Sequence, residues 1–173
     1  MIENFDTTIH HTLKEEGGFV NHPSDPGGMT NLGVTKKVWE EWVGHTVDEQ
    51  EMRALTPADV IPLYQRKYWN ACRCSELPKG LDLCVFDTAV NSGPGRAIRL
   101  LQQCVGVPVD GAIGPKTISA VSQFKGSALL HLIEEYCSSR QAYLISLPNF
   151  GTFGKGWTAR VTRLKEAATK ILG

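Results

Sequence analysis

The chain has 173 residues, of which 42% are hydrophobic and 21% charged, and its formal net charge is zero. This length and composition are typical of a globular protein with one domain, or with one domain and a small appendage. The balanced charge gives no indication of a strongly basic surface for nucleic acid, and no apolar run is long enough to span a membrane. We therefore expect neither a nucleic-acid partner nor stable membrane insertion.

Short patterns exclude two further features. Residues 1–6 have neither the basic region nor the apolar stretch of a secretory signal, so we expect synthesis in the cytoplasm without a signal peptide. The five cysteines include one close pair, Cys72 and Cys74, and the five histidines are scattered, which is not the spacing of a metal site. We expect reduced, mostly buried thiols, no metal and no cofactor.

The first predicted helix ends at a pair of glutamates followed by two glycines. Phe5, Ile9 and Leu13 recur every four residues, which is the spacing of one apolar helix face. Gly17 can adopt the left-handed conformation that ends a helix, so Glu16 falls in the last turn. The partial negative charge of a helix C-terminus and the neighbouring glutamate both favour a protonated carboxyl. Glu16 is therefore a candidate for the general acid of a reaction near neutral pH.

A segment rich in proline and glycine follows this helix and carries a second carboxylate, Asp25. Residues 30–34 have the composition of a short strand, which we expect to pair with residues 19–20 across this segment. Thr30, at the start of that strand, adds a hydroxyl. Cleavage of a glycosidic bond needs an acid, a base or stabilising carboxylate, and a group that positions water.

In this interpretation Glu16 protonates the leaving oxygen. Asp25 activates or orients a water molecule, or stabilises the oxocarbenium-like transition state, and Thr30 holds that water. The structural alternatives are a solvated glutamate at a helix end, a turn aspartate before proline and a β-branched strand residue. A Glu16–Asp25 carboxyl separation of about 6.5–9.5 Å would indicate an inverting enzyme, and about 5–5.5 Å a retaining one.

Helical patterns account for most of the remaining chain. Thr35 can cap a helix that ends at Gly44, residues 46–49 fit a capping box, and Thr56 followed by proline opens a helix that reaches residue 69. Further helices are predicted at 81–90, at 97–105, after a turn-rich segment at 107–117, at 127–147 as the longest helix, and from 157 after a glycine-rich stretch. The sum is a mainly α or α+β fold, a helical bundle with one small hairpin near the catalytic residues.

Four further side chains are candidates for contact with a substrate. Thr35 either contacts substrate or only caps its helix. Tyr68 and Trp69 could stack on a sugar ring, although aromatic residues at helical spacing are more typical of a core. Asn91, at a glycine-flanked helix end, either hydrogen-bonds an N-acetyl group or terminates the helix. Asp87, inside a buried helix, must be paired if it is ionised, for which an arginine would serve.

Several segments follow one another along nearly the whole chain: residues 16–21 (EGGFVN), 25–28 (DPGG), 30–35 (TNLGVT), Tyr64, Tyr68 with Trp69, and 86–93 (FDTAVNSG). In this order they resemble glycoside hydrolase family 108, the phage-type N-acetylmuramidases. Residues 109–115 (VDGAIGP) and Gly156, Trp157 and Arg160 resemble the peptidoglycan-binding segment that accompanies that family.

The resemblance implies a lysozyme-like, mostly helical fold, hydrolysis of the β-1,4 bond between N-acetylmuramic acid and N-acetylglucosamine, and Glu16 as the general acid. The chain is also similar to the Glu/Asp/Thr triad of T-even-type phage lysozymes. Eight residues separate Glu16 from Asp25, as in that pattern, and four separate Asp25 from Thr30, one fewer than in it. We expect residues 1–93 to form the catalytic region and 94–173 a helical peptidoglycan-binding-like region, packed together as one globule.

The leading functional hypothesis is a monomeric phage endolysin that acts on peptidoglycan glycan strands. Because the sequence shows no signal, it would stay in the host cytoplasm until a holin opens the membrane, and then reach the cell wall. The alternatives are a lytic transglycosylase, in which the substrate's own hydroxyl attacks and Asp25 is dispensable, a non-catalytic cell-wall-binding protein, and a secreted lysozyme-like effector.

Overall fold

The computed structural model describes residues 2–21 and 28–173 of the chain. The helices in these ranges are α1 (Ile2–Glu16), α2 (Lys36–Val43), α3 (Glu49–Arg53), α4 (Pro57–Tyr64), α5 (Leu81–Ser92), α6 (Pro94–Val105), α7 (Pro115–Ser122), α8 (Ser127–Ile145) and α9 (Phe150–Leu172). The strands are β1 (Val20–Asn21), β2 (Met29–Asn31) and β3 (Val34–Thr35). A π-helical turn, Gln65–Trp69, continues α4, and a short 3₁₀ turn, Cys74–Glu76, precedes α5. The predicted mainly α fold class is confirmed.

The chain divides into two compact units. One, which we call the helical unit, contains the residues up to 8 together with 68–173, and the other, the sheet unit, contains residues 9–67. In the helical unit α5 packs against α6, α8 and α9. The first nine residues of α5 are all buried, so this helix is enclosed on every side and shows no amphipathic stripe. The predicted boundary between residues 93 and 94 stays a prediction.

The three strands of the sheet unit form an antiparallel sheet in the order β1-β2-β3. The single strand predicted at residues 30–34 is interrupted by a two-residue turn at Leu32 and Gly33, which have φ angles of 53° and 78°. Two consecutive positive φ values are the geometry of a tight hairpin turn, so the predicted hairpin gains a third strand. The turn was missed because leucine rarely adopts a positive φ.

Caps define the helices that follow the sheet. The Oγ1 atom of Thr35 accepts a hydrogen bond from the backbone N–H of Val38 at 3.1 Å, which confirms Thr35 as the cap of α2. The capping box predicted at residues 46–49 is wrong. The box is formed two residues later, where the Asp48 and Glu51 side chains accept from each other's backbone N–H groups at 2.8 and 2.9 Å. Residues 46–49 and 48–51 both have the polar residues of a capping box at the required spacing. The sequence alone does not distinguish them, because aspartate caps a helix as well as threonine does.

The last helix differs from the prediction in length. α9 has 23 residues and α8 has 19, so the prediction that the helix beginning at residue 127 is the longest was wrong. The glycine-rich stretch predicted to precede α9 is helical. A Cβ atom at Gly154 would lie 2.6 Å from the Phe150 ring, so the absence of a side chain lets this ring pack against the helix backbone. Close packing therefore overrides the low helix propensity of glycine here.

One buried amide organises the turn-rich segment between α6 and α7. Gln102, only 1% exposed, donates from Nε2 to Asp110 Oδ1 at 2.9 Å, to the Ala112 carbonyl at 3.0 Å and to Thr117 Oγ1 at 3.2 Å. Its Oε1 accepts from the backbone N–H groups of Asp110 and Gly111. The segment is therefore ordered although it lacks regular secondary structure.

Candidate functional site

Glu16 is the last residue of α1, as predicted. Gly17 has a φ of 77°, and its backbone N–H donates to the Leu13 carbonyl at 3.2 Å, which is the left-handed helix end expected of this glycine. The Glu16 side chain is half-buried. The carboxylate is thus held at a defined helix end and remains partly accessible to solvent.

The Glu16 side chain packs against the turn between β2 and β3. A Cβ atom built at Gly33 would lie 2.8 Å from Glu16 Cγ and 2.5 Å from the Tyr64 hydroxyl oxygen. The Tyr64 hydroxyl in turn donates to the Leu32 carbonyl at 2.6 Å, and the tyrosine is 1% exposed. Glu16, the turn and the end of α4 therefore meet at one place in the sheet unit.

Local sequence patterns did not single out Gly33 and Tyr64 as neighbours of Glu16. Tyr64 appeared only as one position of the family resemblance, and Gly33 as one letter of a predicted strand. A usable signal existed for Tyr64, because a tyrosine on an otherwise apolar helix needs a hydrogen-bond partner for its hydroxyl. The partner, a carbonyl of the turn, could not be inferred without the fold.

Contacts with α3 hold the strands that follow Glu16. The Arg53 guanidinium lies 4.1 Å from the centre of the Phe19 ring, a cation–π contact. Asn31, 5% exposed, donates from Nδ2 to the Met52 carbonyl at 2.8 Å. These contacts attach α3 to Phe19, just before β1, and to Asn31, at the end of β2.

Thr30 and Thr35 share one face of this sheet. Thr30 in β2 is paired with Thr35 in β3. The next pair, Asn31 and Val34, is buried. Since side chains alternate between the faces of a strand, Thr30 and Thr35 lie on the opposite, more exposed face, together with Val20. Thr35 uses its hydroxyl to cap α2, whereas Thr30 is half-buried on an accessible face.

Asp25 lies outside the described residues, and so does the predicted Glu16–Asp25 separation. Asn21 precedes the undescribed residues 22–27, and Met29 follows them closely. These two residues are paired opposite each other in the antiparallel ladder of β1 and β2. The role of Asp25 therefore stays a prediction.

The helical unit contains the other predicted contact residues. Trp69 is 2% exposed, its Nε1–H donates to Ser75 Oγ at 2.8 Å, and its ring packs against Phe5 and Phe86 with centroids 5.2 and 5.8 Å away. A ring enclosed in this way cannot stack on a sugar, so Trp69 belongs to the core and its predicted binding role is corrected. Tyr68 is half-buried and remains a candidate.

Asn91 is exposed at the end of α5, and a buried ionic cluster anchors it. Its Oδ1 accepts from Arg140 Nη2 at 3.3 Å, and Arg140 Nη1 donates to Asp87 Oδ2 at 2.8 Å. Arg160 donates to the same carboxylate from Nε at 3.1 Å and from Nη2 at 3.2 Å. Asp87 is therefore paired with two arginines, as its burial required, and the Asn91 side chain is oriented by this cluster.

Within residues 2–21 and 28–173, no group of three or more histidine, cysteine, aspartate and glutamate side chains is arranged to hold a metal ion. None of the helices described is both long and apolar enough to cross a bilayer. The sheet unit carries a carboxylate at a helix end, a hydroxyl on a sheet face and a buried tyrosine.

Known proteins resemble this chain over nearly its whole length. The family model described as Glycosyl hydrolase 108 matches residues 9–93, and the one described as Predicted Peptidoglycan domain matches residues 96–162. The solved structure of Brucella abortus SagA is 41% identical with a TM-score of 0.88, over 99% of this chain and 97% of that chain. No curated protein gives a significant match.

Proposed function

Because this chain belongs to the glycosyl hydrolase 108 family and is a glycoside hydrolase of lysozyme-like fold, we propose that it cleaves the β-1,4 bond between N-acetylmuramic acid and N-acetylglucosamine in bacterial peptidoglycan. The peptidoglycan model over residues 96–162 supports this substrate. The observation that carries the proposal is the half-buried Glu16 side chain at the end of α1, whose Cβ and Cγ atoms lie against the Gly33 turn.

In the proposed reaction, Glu16 donates a proton to the oxygen of the leaving sugar. Thr30, on the accessible sheet face, holds a water molecule by its hydroxyl, and Asp25 activates that water or stabilises the positive charge that develops on the sugar ring. Thr35, Tyr68 and Asn91 are proposed substrate contacts. For Asn91, the Nδ2 group can donate to an N-acetyl carbonyl while Oδ1 accepts from Arg140.

Tyr64 and Gly33 are proposed as positioning residues. The Tyr64 hydroxyl ties α4 to the Leu32 carbonyl, and the bare Gly33 backbone lets the Glu16 side chain approach the turn. A general acid works only within hydrogen-bond reach of the atom that it protonates, so a displacement of about 1 Å is costly.

Product analysis tests the reaction. Purified peptidoglycan digested by the enzyme should yield fragments that end in reducing N-acetylmuramic acid, as mass spectrometry after borohydride reduction would show. Anhydromuramyl ends would identify a lytic transglycosylase instead, and reducing N-acetylglucosamine ends would identify cleavage of the other glycosidic bond. Pelleting with peptidoglycan without release of soluble fragments would identify a binding protein without catalysis.

Replacement of Gly33 by alanine tests the positioning of Glu16. The new Cβ would overlap the Glu16 and Tyr64 side chains, and the positive φ adds strain of about 1 kcal/mol, so we expect a loss of kcat of about tenfold or more. The matched control is Gly44→Ala, where φ is 83° and nothing lies within 4 Å of the new Cβ. Both variants should unfold at lower temperature, but only Gly33→Ala should lose kcat. Wild-type kcat in Gly33→Ala would contradict the positioning role.

We propose a phage endolysin as the biological role, a monomer that reaches the cell wall through a membrane lesion made by a holin. A lysozyme-like effector would perform the same chemistry after delivery by a secretion system. Expression of the protein alone in a bacterial cytoplasm should leave the culture turbid, and co-expression with a holin should clear it. Lysis without a holin would contradict the proposed route.

A further inference from the structure

The first two turns of α9 carry three aromatic side chains, Phe150, Phe153 and Trp157. The Phe153 and Trp157 rings are stacked, with centroids 5.8 Å apart and an interplanar angle of 28°, and the Phe150 ring lies 6.3 Å from that of Trp157. Residues three and four apart on a helix are neighbours on its surface. The three rings therefore form one continuous aromatic stripe.

This stripe is not part of the core. Phe153 is 53% exposed and Trp157 is half-buried. Phe153 is the only aromatic residue among the large hydrophobic side chains that are exposed in the described part of the chain. A Cβ atom at Gly151 or Gly156 would meet nothing within 4 Å, so these two positions of the same helix segment also face open space. The stacked rings are therefore accessible to a ligand.

The chemistry of the rings and the position of the stripe favour a sugar as the occupant. The apolar C–H face of a hexose can pack on an aromatic ring, while the hydroxyl and amide groups at its rim stay in water or bond to polar neighbours. The stripe lies inside residues 96–162, the segment that the peptidoglycan model matches. One turn beyond Trp157, Arg160 bonds to Asp87, and the same carboxylate bonds to Arg140, which orients Asn91. A buried ionic cluster therefore ties this part of α9 to the end of α5.

We propose that Phe153 and Trp157 form a glycan-binding platform on which an N-acetylhexosamine ring of the peptidoglycan strand stacks. The inference rests on the proposed substrate, because it assigns the platform to the same glycan. The platform increases the residence of the enzyme on the polymer and does not act on the reacting bond. Removal of the rings should therefore raise KM and leave kcat within about twofold.

Binding is measured by cosedimentation of the full chain with purified peptidoglycan, in the Glu16→Gln background so that the polymer is not degraded. Phe153→Ala and Trp157→Ala should each weaken binding about tenfold, which is about 1.4 kcal/mol at 25 °C. The matched control is Ile171→Ala, an exposed apolar residue at the other end of the same helix, which should bind like its parent. Phe153→Tyr and Trp157→Phe keep an aromatic face and should restore most of the binding. They also test the platform if an alanine variant fails to fold.

The source of the affinity is tested with two soluble probes. N-acetylglucosamine oligomers should compete with peptidoglycan and change the fluorescence of the parent more than that of Trp157→Phe. The protein should not bind vesicles that contain phosphatidylglycerol. If it binds these vesicles through Phe153 but does not bind the oligomers, the inference is overturned in favour of a membrane surface. If all the ring variants bind peptidoglycan as tightly as the parent, the platform is overturned but the proposed substrate is not. Failure of the parent itself to bind peptidoglycan would overturn the proposed substrate.

Discussion

Replacement of Glu16 by glutamine should lower the rate of peptidoglycan hydrolysis about 10²–10⁴-fold, because the amide cannot donate the proton that the leaving oxygen needs. Glutamine has nearly the same shape as glutamate, so its Cβ and Cγ atoms keep the contact with the Gly33 turn. The unfolding temperature should therefore stay close to that of the wild type. Dye release from labelled peptidoglycan measures the rate, and differential scanning calorimetry measures the stability.

The neighbouring Glu15 provides a matched control for this substitution. It is also a half-buried glutamate in the last turn of α1, and it precedes Glu16 by one residue. Successive residues on a helix point about 100° apart, so Glu15 does not share the direction of the Glu16 side chain. Glu15→Gln should keep at least about half of the activity. A Glu16→Gln variant that clears peptidoglycan at the wild-type rate would contradict the assignment of the acid.

The end of α1 shows how far local sequence rules reach. A helix stripe of Phe5, Ile9 and Leu13, followed by two glycines, contains all the information needed to place Glu16 at a helix end, because each rule acts over four residues or fewer. The capped start of α2 and the ends of α5 and α6 follow from the same kind of rule. Each of these was predicted correctly at the level of the element.

The surroundings of Glu16 depended on contacts distant in sequence. Tyr64 reaches a turn 32 residues before it, and nothing in the sequence of α4 specifies that carbonyl. The turn itself was hidden because Leu32 adopts a positive φ, which the fold imposes against local preference. For Trp69, local pattern could not distinguish a core position from a sugar-binding one, because its burial depends on Phe5 and Phe86, which lie far away along the chain.

Loss of the Asp87 charge should strongly destabilise the folded protein. The Asp87 side chain is fully buried, and the Arg140 and Arg160 side chains that pair with it are 1% and 10% exposed. Asp87→Asn would leave both guanidinium groups without their anionic partner in the core. Breaking a buried pair in this way costs about 3–5 kcal/mol, which corresponds to a fall in unfolding temperature of about 10 °C for a chain of this size. Glu166→Gln, an exposed substitution on α9, should leave the unfolding temperature unchanged.

The same cluster predicts how stability depends on pH. Burial alone would raise the pKa of Asp87, but the charges and hydrogen bonds of Arg140 and Arg160 outweigh it and lower the pKa from 3.8 to about 2. Because the folded-state pKa is the lower one, the unfolded chain binds this proton first as the pH falls. The stabilisation, about 2–3 kcal/mol, is therefore present above about pH 4 and is lost as the pH falls towards 2.

Urea unfolding of the wild type and of Asp87→Asn at pH values from 2 to 6 separates this contribution from that of other carboxylates. The wild type should lose stability between pH 4 and 2 more steeply than the variant, and the difference in unfolding free energy between the two should shrink as the pH falls. Since asparagine does not titrate, the curves approach each other only if the Asp87 carboxylate is the group that holds the two arginines. Parallel curves would show that the lowered pKa of Asp87 does not contribute to acid stability.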